Sequence, residues 1–493
     1  MNALIGVSPL LLLVGAGLSI MVIDAFTKER TELALVTAAS LFVAATVAGV
    51  LMLGPEITTA PEVLTRYLAV DRMGLFFDVV ICVGAGLSAL LAGAYLREHG
   101  FERGEFYVLV IFTAFGAMVL ARAVDLLSIF LGLETMSLGA YALVAYRRTS
   151  ARAVEAAVKY FLLGSFAAAI LLFGSALLYG ATGHTDLVGI RESIASGQAD
   201  AVLTVFALVM LVVGLSFKIG AVPFHMWVPD AYEGAATPVT TFMSVVVKAA
   251  AVAVLVRVLV GAFGDPSTMG LSTGWTPVII ILAVISMVYG NLAALAQSSV
   301  KRMLAYSSIA HAGYILVGLA AAYEVGSVAI SAVLYYTAAY TFSNVLAFGS
   351  LILMGSKGKE AVSYADIAGA GSRHPIAAFP FAIGVLSLLG LPPTAGFFGK
   401  YYVFSAAVQA GGLMVWVAVL GVLASVVGAY YYLKVIVYLF MKEPEEDAPI
   451  AVPMQSWYMV VALVLAGYYV MKLGVFPSQY LDWAVAAAAS VIG

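Results

Sequence analysis

Three lysines of this chain stand inside or beside long apolar runs, where a charge is costly. Lys218 follows LVVGLSF, Lys248 lies within TFMSVVVKAAAVAVLV, and Lys400 ends the stretch FFGK. An ammonium near the centre of a bilayer costs about 2.5–3.5 kcal/mol on insertion scales, so a buried one usually faces a partner or a wet cavity. Glu134 lies well inside VDLLSIFLGLETMSLGAYALVAY and needs a cation for the same reason, and we expect it to form an ion pair with Lys218. These residues could exchange protons, because burial favours a neutral amine whereas a nearby carboxylate favours the ammonium.

Three further residues could relay protons. His225 and His311, the second in SSIAHAGY, carry the side chain that titrates nearest to neutral pH. A lone histidine in a membrane helix is also often only a packing hydrogen bonder, and both interpretations stay open. Lys159, in EAAVKYFLLG, is a relay candidate whose ammonium could equally snorkel toward the nearby basic loop.

Helix breaks are predicted beside two of the lysines. Lys218 is followed by IGAVP, and Lys400 is preceded by GLPPTAGFFG. Proline removes a backbone donor and glycine lets the chain bend, and the freed backbone groups are tolerated only where they line protein or water. Asp230 and Glu233, in PDAYEG, are expected to stabilise the chain after the first break. Two simple proline kinks with snorkelling lysines are the alternative.

The elements that position these residues are expected to be membrane helices. The chain has 493 residues, of which 63% are hydrophobic and 10% charged, whereas soluble domains carry about 25% charged residues. Fourteen apolar runs are long enough to cross a bilayer, near residues 7–26, 33–53, 75–96, 106–122, 124–146, 156–179, 200–232, 238–262, 277–297, 303–323, 326–354, 376–408, 412–440 and 455–475. All should be helices, because an open strand edge leaves backbone groups unsatisfied in lipid.

The two predicted breaks fall in the seventh and twelfth of these runs, which indicates a repeat of five spans. An odd number of spans per copy places the two copies in opposite orientations, as in inverted-repeat transporters. We therefore expect an all-α integral membrane protein with a single polytopic domain over residues 1–493. A first repeat is predicted at 106–262 and a second, inverted repeat at 277–440.

The charge, the cysteine content and the motifs of the sequence argue against several classes of protein. A net charge of −3 offers no basic surface for nucleic acid. Cys82 is the single cysteine, so neither a disulfide framework nor a thiolate metal or iron–sulfur site is expected. No dinucleotide fingerprint precedes a helix. The first apolar run lacks a basic segment before it and is followed by further spans, so we expect a retained helix rather than a cleaved signal peptide.

Four stretches resemble the N-type membrane subunit of the NADH:quinone oxidoreductase called complex I, one of three antiporter-like subunits related to multisubunit cation/proton antiporters. They are EAAVKYFLLGSFAAAILLFGSALLYGATG, LSFKIGAVPFHMWVPDAYEGAATPVTTFMSVVVKAA, NLAALAQSSVKRMLAYSSIAHAGYIL and RHPIAAFPFAIGVLSLLGLPPTAGFFGKYYVF, at 155–183, 215–250, 291–316 and 373–404. The M-type relative places a glutamate where this chain has Lys400, and the L-type relative has a long C-terminal extension. The resemblance therefore favours the N-type member.

The resemblance implies a proton channel. Protons would enter from the cytoplasm toward Lys218, pass Lys248 and leave past Lys400, with Glu134 as the carboxylate of the fifth helix. NADH, FMN, iron–sulfur clusters and quinone would be bound by other subunits, so this chain would hold no cofactor, no metal and no redox centre. Its neighbours would be membrane subunits of the M, K, J and A types, in the inner membrane of a bacterial cell.

Three alternatives remain. The same fold could serve a cation/proton antiporter complex, or a related membrane-bound hydrogenase or dehydrogenase, and co-purifying polypeptides would distinguish these. A passive scaffold is a second alternative, although a scaffold gains nothing from Lys248. A solute transporter is the third, and it would require a substrate pocket at the repeat interface, for which no pattern is visible.

Basic residues in the loops predict the orientation. Odd-numbered loops hold thirteen of them, Lys28, Arg30, Arg97, Arg103, Arg147, Arg148, Arg152, Lys301, Arg302, Lys357, Lys359, Arg373 and Lys442, and even-numbered loops hold four, Arg66, Arg72, Arg122 and Arg191. Cytoplasmic loops carry the excess of Lys and Arg, and Lys301 with Arg302 is expected to anchor the chain at the cytoplasmic surface. Both termini and the loop at 181–199 are therefore expected outside, in the periplasm, with the loops at 147–155 and 355–375 in the cytoplasm.

Cysteine labelling of intact cells tests this orientation. In a Cys82→Ala background, Ser196→Cys should react with a membrane-impermeant maleimide from outside, whereas Thr149→Cys should react only after permeabilisation. Ala365→Cys serves as a second cytoplasmic position. Strong labelling of Ala365→Cys from outside would show that the orientation is wrong.

Overall fold

A computed structural model describes residues 2–26, 32–55, 62–271, 274–355, 360–444 and 456–492. Within these ranges, thirteen helices are long and apolar enough to cross a membrane, or fourteen if the bent pair Tyr364–Arg373 and Pro375–Leu389 is counted as one span. The predicted all-α membrane fold is confirmed. Four of the basic residues that orient the chain lie outside the described residues: Lys28, Arg30, Lys357 and Lys359.

The helices that matter for the site are numbered here in chain order. They are α1 Ser8–Phe26, α2 Leu33–Leu53, α3 Arg72–Glu98, α4 Gly104–Arg122, α5 Leu126–Val144, α6 Ala151–Thr182, α7 Leu187–Ala195, α8 Ala201–Ile219, α9 Trp227–Gly234, α10 Thr237–Ala262, α11 Thr276–Leu295, α12 Val300–Val325, α13 Ser327–Leu353, α14 Pro375–Leu389, α15 Ala395–Ala410, α16 Gly412–Phe440, α17 Trp457–Val475 and α18 Pro477–Ile492.

Two of the predicted spans are interrupted at the glycine that follows the apolar run. Gly220 ends α8 with φ 76°, and Gly390 ends α14 with φ 91°, a left-handed conformation that favours glycine. The chain then resumes as α9 and α15 respectively. Both breaks therefore lie where the glycine and proline pattern predicts them.

Helices α10, α12 and α13 form the centre of the bundle, since nearly all their residues are buried. Helix α10 contains two π-helical segments, Met243–Val247 and Arg257–Ala262. Such segments are rare and often occur at functional sites. The first one ends at the residue before Lys248. By contrast, α1, α6 and α16 leave broad apolar faces exposed, as helices do that face lipid or a partner.

At one end of the bundle, two ion pairs join α3, α4 and α10. The fully buried Arg122 donates to Asp78, with 2.9 Å between Nε and Oδ2. Arg257 binds Asp71 in a bidentate manner, at 2.9 and 2.8 Å. Removing one partner of such a pair leaves an uncompensated buried charge. These pairs therefore fasten the N-terminal helices to α10.

At the opposite end, a carboxylate joins four parts of the chain. Glu360 accepts hydrogen bonds from Lys301 Nζ at 3.1 Å, from Thr237 Oγ1 at 2.9 Å and from the Tyr95 hydroxyl. Burial alone would raise the pKa of Glu360, but the charge of Lys301 and these hydrogen bonds lower it below its ordinary value. Lys301 is fully buried, so it is not merely a surface anchor at the start of α12.

The C-terminal helix α18 was not among the predicted spans. It follows α17 almost directly and packs against α3 and α13. Its buried side is made of alanines, Ala484, Ala487 and Ala488. Ser490 Oγ accepts a hydrogen bond from Met73 N at 3.2 Å. This helix therefore covers the same end of the bundle as Arg122.

The Glu360 cluster yields a prediction about stability. Replacing Glu360 with Gln keeps the shape of the side chain and one acceptor oxygen. The amide NH2 then replaces an oxygen that accepted hydrogen bonds, and Lys301 is left buried without a counter-charge, which should destabilise the protein by about 3–5 kcal/mol. Lys301→Met in the same chain should restore part of the loss. Glu443→Gln, at an exposed position, is the matched control and should be neutral. Thermal unfolding of the detergent-solubilised native protein and of these three variants measures the differences.

The pH dependence of this stabilisation follows from the direction in which the pKa of Glu360 is shifted. Because the pKa of Glu360 is lower in the folded protein than its ordinary value of 4.5, its stabilisation is fully present above about pH 4.5. It is lost as the pH falls through the lower, folded value. The difference between native chain and Glu360→Gln should therefore be constant at neutral pH and shrink in acid, and a difference that grows in acid would contradict the ion pair.

Candidate functional site

Lys218 is held by hydroxyl groups of α5. It lies in the last turn of α8, just before the break, and is 2% exposed. Its Nζ donates to Ser137 Oγ at 2.7 Å and to the Tyr141 hydroxyl at 3.3 Å. Ser137 and Tyr141 are one helical turn apart and therefore share one face of α5.

The predicted direct ion pair between Glu134 and Lys218 is not among the ion pairs of the described residues. Glu134 interacts with Lys218 only as a nearby charge, because Ser137 and Tyr141 occupy the positions around the ammonium. Its own side chain is partly exposed. The adjoining face of α5 carries three exposed leucines, Leu127, Leu131 and Leu138, each more than 50% exposed. Glu134 thus lies at the edge of the chain, within electrostatic reach of Lys218.

Lys248 lies at the centre of the bundle. It is 4% exposed and donates to both the carbonyl and the hydroxyl oxygen of Ser308, on α12. The Tyr340 hydroxyl of α13 donates to the same Ser308 Oγ at 2.9 Å. The Lys248 ammonium is also 5.1 Å from the centre of the Tyr340 ring, a cation–π distance. All of its partners are electrically neutral.

Lys400 lies against the second break. Its Nζ donates to the Leu389 carbonyl at 2.8 Å and to Ser425 Oγ at 2.7 Å. The Leu389 carbonyl belongs to the last turn of α14, where the helix no longer supplies a donor. Gly390 leaves room for the lysine, because a Cβ at Gly390 would lie 3.1 Å from Lys400 Cδ. The helix break therefore creates both the acceptor and the space.

His311 connects three helices near Lys248. Its Nδ1 lies 2.6 Å from the Tyr336 hydroxyl on α13, and its Nε2 lies 3.1 Å from the Tyr432 hydroxyl on α16. Tyr432 also contacts the Ser307 hydroxyl. The imidazole can donate through one nitrogen and accept through the other, so it can pass a proton between two hydroxyl groups.

Polar side chains continue from His311 toward Lys400. Two steps are ring contacts, with 5.1 Å between the ring centres of Tyr340 and His311 and 4.4 Å between those of Tyr432 and Tyr431. The Tyr431 hydroxyl donates to Asn291 Oδ1 at 2.8 Å, and Asn291 Nδ2 donates to the Tyr314 hydroxyl at 2.9 Å. The ring of Tyr314 lies 4.9 Å from the Lys400 ammonium. We call the set Lys248, Ser308, Tyr340, His311, Tyr432, Tyr431, Asn291, Tyr314, Ser425 and Lys400 the polar axis.

The structure leaves His225 and Lys159 outside the polar axis. His225 lies in the break after α8 with its ring 4.8 Å from that of Tyr289, and its Nδ1 has no hydrogen-bond partner among the described residues. Lys159 is 47% exposed and pairs with Glu155 at 2.8 Å and with Asp230 at 3.0 Å. Lys159 therefore belongs to a charged cluster at the surface.

Asp230 and Glu233 stabilise the chain after the first break through α12. Arg302 Nη1 donates to Asp230 Oδ1 at 2.8 Å and to Glu233 Oε2 at 3.0 Å. Together with the pair from Lys159, these contacts hold α9 between α6 and α12. The expected stabilising function of the two carboxylates agrees with this geometry.

Sequence reasoning missed the hydroxyl groups that surround the lysines. Ser137, Ser425 and Tyr340 are remote in sequence from the lysines they serve, and serine and tyrosine are abundant in this chain, so no local pattern marks them. Ser308 is the exception, because it lies three residues before His311 and thus on the same helical face. In the part of the chain that the structure describes, no three His, Cys, Asp or Glu side chains form a group that could hold a metal.

Comparisons with known proteins agree with the resemblance seen in the sequence. The sequence model of a family described as NADH:quinone oxidoreductase/Mrp antiporter matches residues 123–428. NADH-quinone oxidoreductase subunit N 1 of Sorangium cellulosum is 53% identical over 98% of each chain. NADH-quinone oxidoreductase subunit N of Myxococcus xanthus is 41% identical over 96% of each chain.

Solved structures with the same fold include a chain of respiratory complex I from Thermus thermophilus with bound aureothin. It has a TM-score of 0.78 and 34% identity, covering 96% of this chain and 98% of that one. A chain of the Mrp complex from a Dietzia species has a TM-score of 0.83 at 21% identity, covering 100% and 97%, and shows the fold alone.

Proposed function

This chain belongs to the NADH:quinone oxidoreductase/Mrp antiporter family, among the subunit N proteins, and we propose that it translocates protons as a membrane subunit of an NADH:quinone oxidoreductase. One observation carries the proposal. Lys218, Lys248 and Lys400 are buried beside neutral hydroxyl groups, and the polar axis joins the last two. A buried ammonium without a fixed carboxylate can release its proton without leaving an unpaired anion behind.

Each lysine has a distinct position in the proposed pathway. Protons enter from the cytoplasm toward Lys218 at the first break and move to Lys248 at the centre. Ser308 and Tyr340 then lead toward His311, whose two nitrogens face hydroxyl groups on different helices. Tyr314 and Ser425 complete the way to Lys400 at the second break, from which protons leave on the outer side.

The energy for this transfer comes from other subunits. NADH, FMN, iron–sulfur clusters and quinone are proposed to bind there, with M-, K-, J- and A-type membrane subunits as neighbours. Glu134 is placed to link a neighbouring subunit to Lys218. It lies on the partly exposed face of α5, and its charge acts on Lys218 from a distance. A charge change in an adjoining subunit would alter the field at Glu134 and, through it, the protonation of Lys218.

The inverted-repeat arrangement also remains a proposal, with repeats at 106–262 and 277–440. The packing supports it: α4 packs on α5 as α11 packs on α12, and α6 packs on α8 as α13 packs on α14. In a bacterial inner membrane, with both termini on the periplasmic side, the two breaks would open toward opposite surfaces. Uptake at one break and release at the other would follow from that symmetry.

A subunit of a cation/proton antiporter complex is the second candidate, since the Mrp chain shares the fold. The 53% identity to a subunit N protein over nearly the whole chain favours the oxidoreductase. Identification of the polypeptides that co-purify in mild detergent separates the two.

Substitution of the relay lysines tests the pathway. Lys248→Met and Lys400→Met keep the length of the side chain and remove the ammonium. If the ammonium only snorkels to the membrane surface, these variants should be as stable as the native protein or more stable. Proton transfer through these sites instead predicts an assembled complex whose pumping falls by about 10²-fold, the scale of a lost acid–base group. Proton uptake by reconstituted vesicles during NADH oxidation measures this.

The corresponding arginine variants sharpen the test. Arginine keeps the charge but does not release its proton at physiological pH, so Lys248→Arg and Lys400→Arg should also fail to pump. Lys442→Met, at an exposed position, is the control. If the arginine variant of either site pumps at the native rate, reversible protonation at that site is excluded.

A glycine pair tests the space beside Lys400. Gly390→Ala and Gly183→Ala both place alanine at a helix end in the left-handed conformation, with φ 91° and 75°, and should lose about 1–2 kcal/mol of stability each. Only the first places a methyl group against Lys400, whereas nothing lies within 4 Å of a Cβ at Gly183. Gly390→Ala should therefore pump more slowly than Gly183→Ala at equal amounts of assembled complex. Equal rates would show that the position of Lys400 is not set by Gly390.

A further inference from the structure

A cavity of about 300 Å³ lies between α2, α3, α13, α17 and α18, away from the polar axis. Its walls are almost entirely apolar, with Met52, Phe76, Val83, Phe342 and Leu473 among them. Helix α18 contributes Gln479, Tyr480 and Trp483 at one end. None of the lysines or histidines of the proposed pathway lines this cavity.

The lysine side chain of Lys472 lines one part of the cavity. Among the lining residues that the structure describes, Lys472 alone carries a charge. Its ammonium lies 5.3 Å from the centre of the Tyr468 ring and 5.8 Å from that of Tyr480, and it is within hydrogen-bonding reach of both tyrosines. No ion pair of the described residues involves Lys472. The positive charge is therefore available to an external anion.

The position of Lys472 places the mouth of the cavity at the level of lipid headgroups. Lys472 lies in the last turn of the membrane helix α17, with the exposed aromatic residues Tyr468 and Phe476 around it. Aromatic residues collect at the membrane–water interface, and a lysine near a helix end extends its ammonium to the same level. The cavity extends from this level along α13, where Tyr335 and Phe342 both line it. The helical rise between these two residues corresponds to a depth of about 10 Å toward the interior of the bilayer.

We propose that this cavity binds one acyl chain of an anionic phospholipid whose phosphate contacts Lys472 and Gln479. The shape excludes a helix of a partner subunit, because a helix with its side chains is about 10–12 Å across and would need far more room than this cavity offers. The apolar walls suit a hydrocarbon chain, and the Lys472 ammonium, which has neutral tyrosines around it and no carboxylate in an ion pair with it, selects a negatively charged headgroup. The lipid would join the N-terminal helices α2 and α3 to the C-terminal pair α17 and α18.

Lipid retention by the purified complex tests this site. The complex is placed in nanodiscs of phosphatidylcholine with a small fraction of phosphatidylglycerol, then released and analysed for retained lipid by native mass spectrometry. The native chain should keep one more phosphatidylglycerol per copy than Lys472→Gln. Lys434→Gln is the matched control, because Lys434 also lies over a tyrosine ring, that of Tyr364 at 4.1 Å, but does not line the cavity.

A second variant separates the cavity from the charge. Ala338→Phe fills the apolar wall and leaves Lys472 in place, so it should lose the same lipid. Equal retention by the native chain and Ala338→Phe, or by the native chain and Lys472→Gln, would overturn the proposal. Both variants are compared only as assembled complexes that elute as the native one does.

Two measurements on the native chain keep the test independent of the variants. A phosphatidylglycerol with a diazirine on its acyl chain should label the α13 segment between Tyr335 and Phe342, and labelling confined to other segments would contradict the site. In discs of phosphatidylcholine alone, millimolar inorganic phosphate should not reproduce the thermal stabilisation given by phosphatidylglycerol. If it does, the site binds a free anion and the lipid proposal is wrong.

Discussion

The structure depends on one constraint, which is that a charge taken out of water must be compensated by its surroundings. The chain meets it in two ways. Arg122, Arg257 and Lys301 are each paired with a carboxylate, and such pairs stay ionised because either partner alone would be costly. Lys218, Lys248 and Lys400 instead meet hydroxyl and carbonyl oxygens. The first group fixes helices to one another, and the second consists of the lysines of the proposed proton pathway.

The three lysines of the proposed pathway each lie next to a stretch of irregular backbone. Lys218 and Lys400 each lie against a helix end closed by a left-handed glycine, and Lys248 directly follows a π-helical segment. A helix break leaves carbonyl groups without an intrahelical donor, and that of Leu389 accepts the hydrogen bond of Lys400. The two ends of the polar axis, Lys248 and Lys400, therefore lie beside irregular backbone, whereas the residues between them lie on continuous helices.

Much of this could be predicted from sequence, because span length, glycine–proline breaks and charges inside apolar runs are local properties. The predicted run at 33–53 coincides with α2, and both breaks lie at the expected glycines. The partners of the lysines could not be predicted, because Ser137 and Lys218 are 81 residues apart and meet only through helix packing. The same limit explains why Glu134 was expected to pair directly with Lys218, and why Lys301 was expected at the surface. Helix α18 was missed because its alanine-rich run is shorter than a span.

Helix α10 is held at both of its ends. Thr237 at the first residue is bound by Glu360, and Arg257 near the last turn is bound by Asp71. These contacts oppose sliding of the helix along its axis and tilting of the helix as a rigid rod. Helices bend preferentially at π-helical segments, where the hydrogen-bond ladder is out of register, and Met243–Val247 is such a segment. Bending there would turn the side chain of the residue that comes next, Lys248.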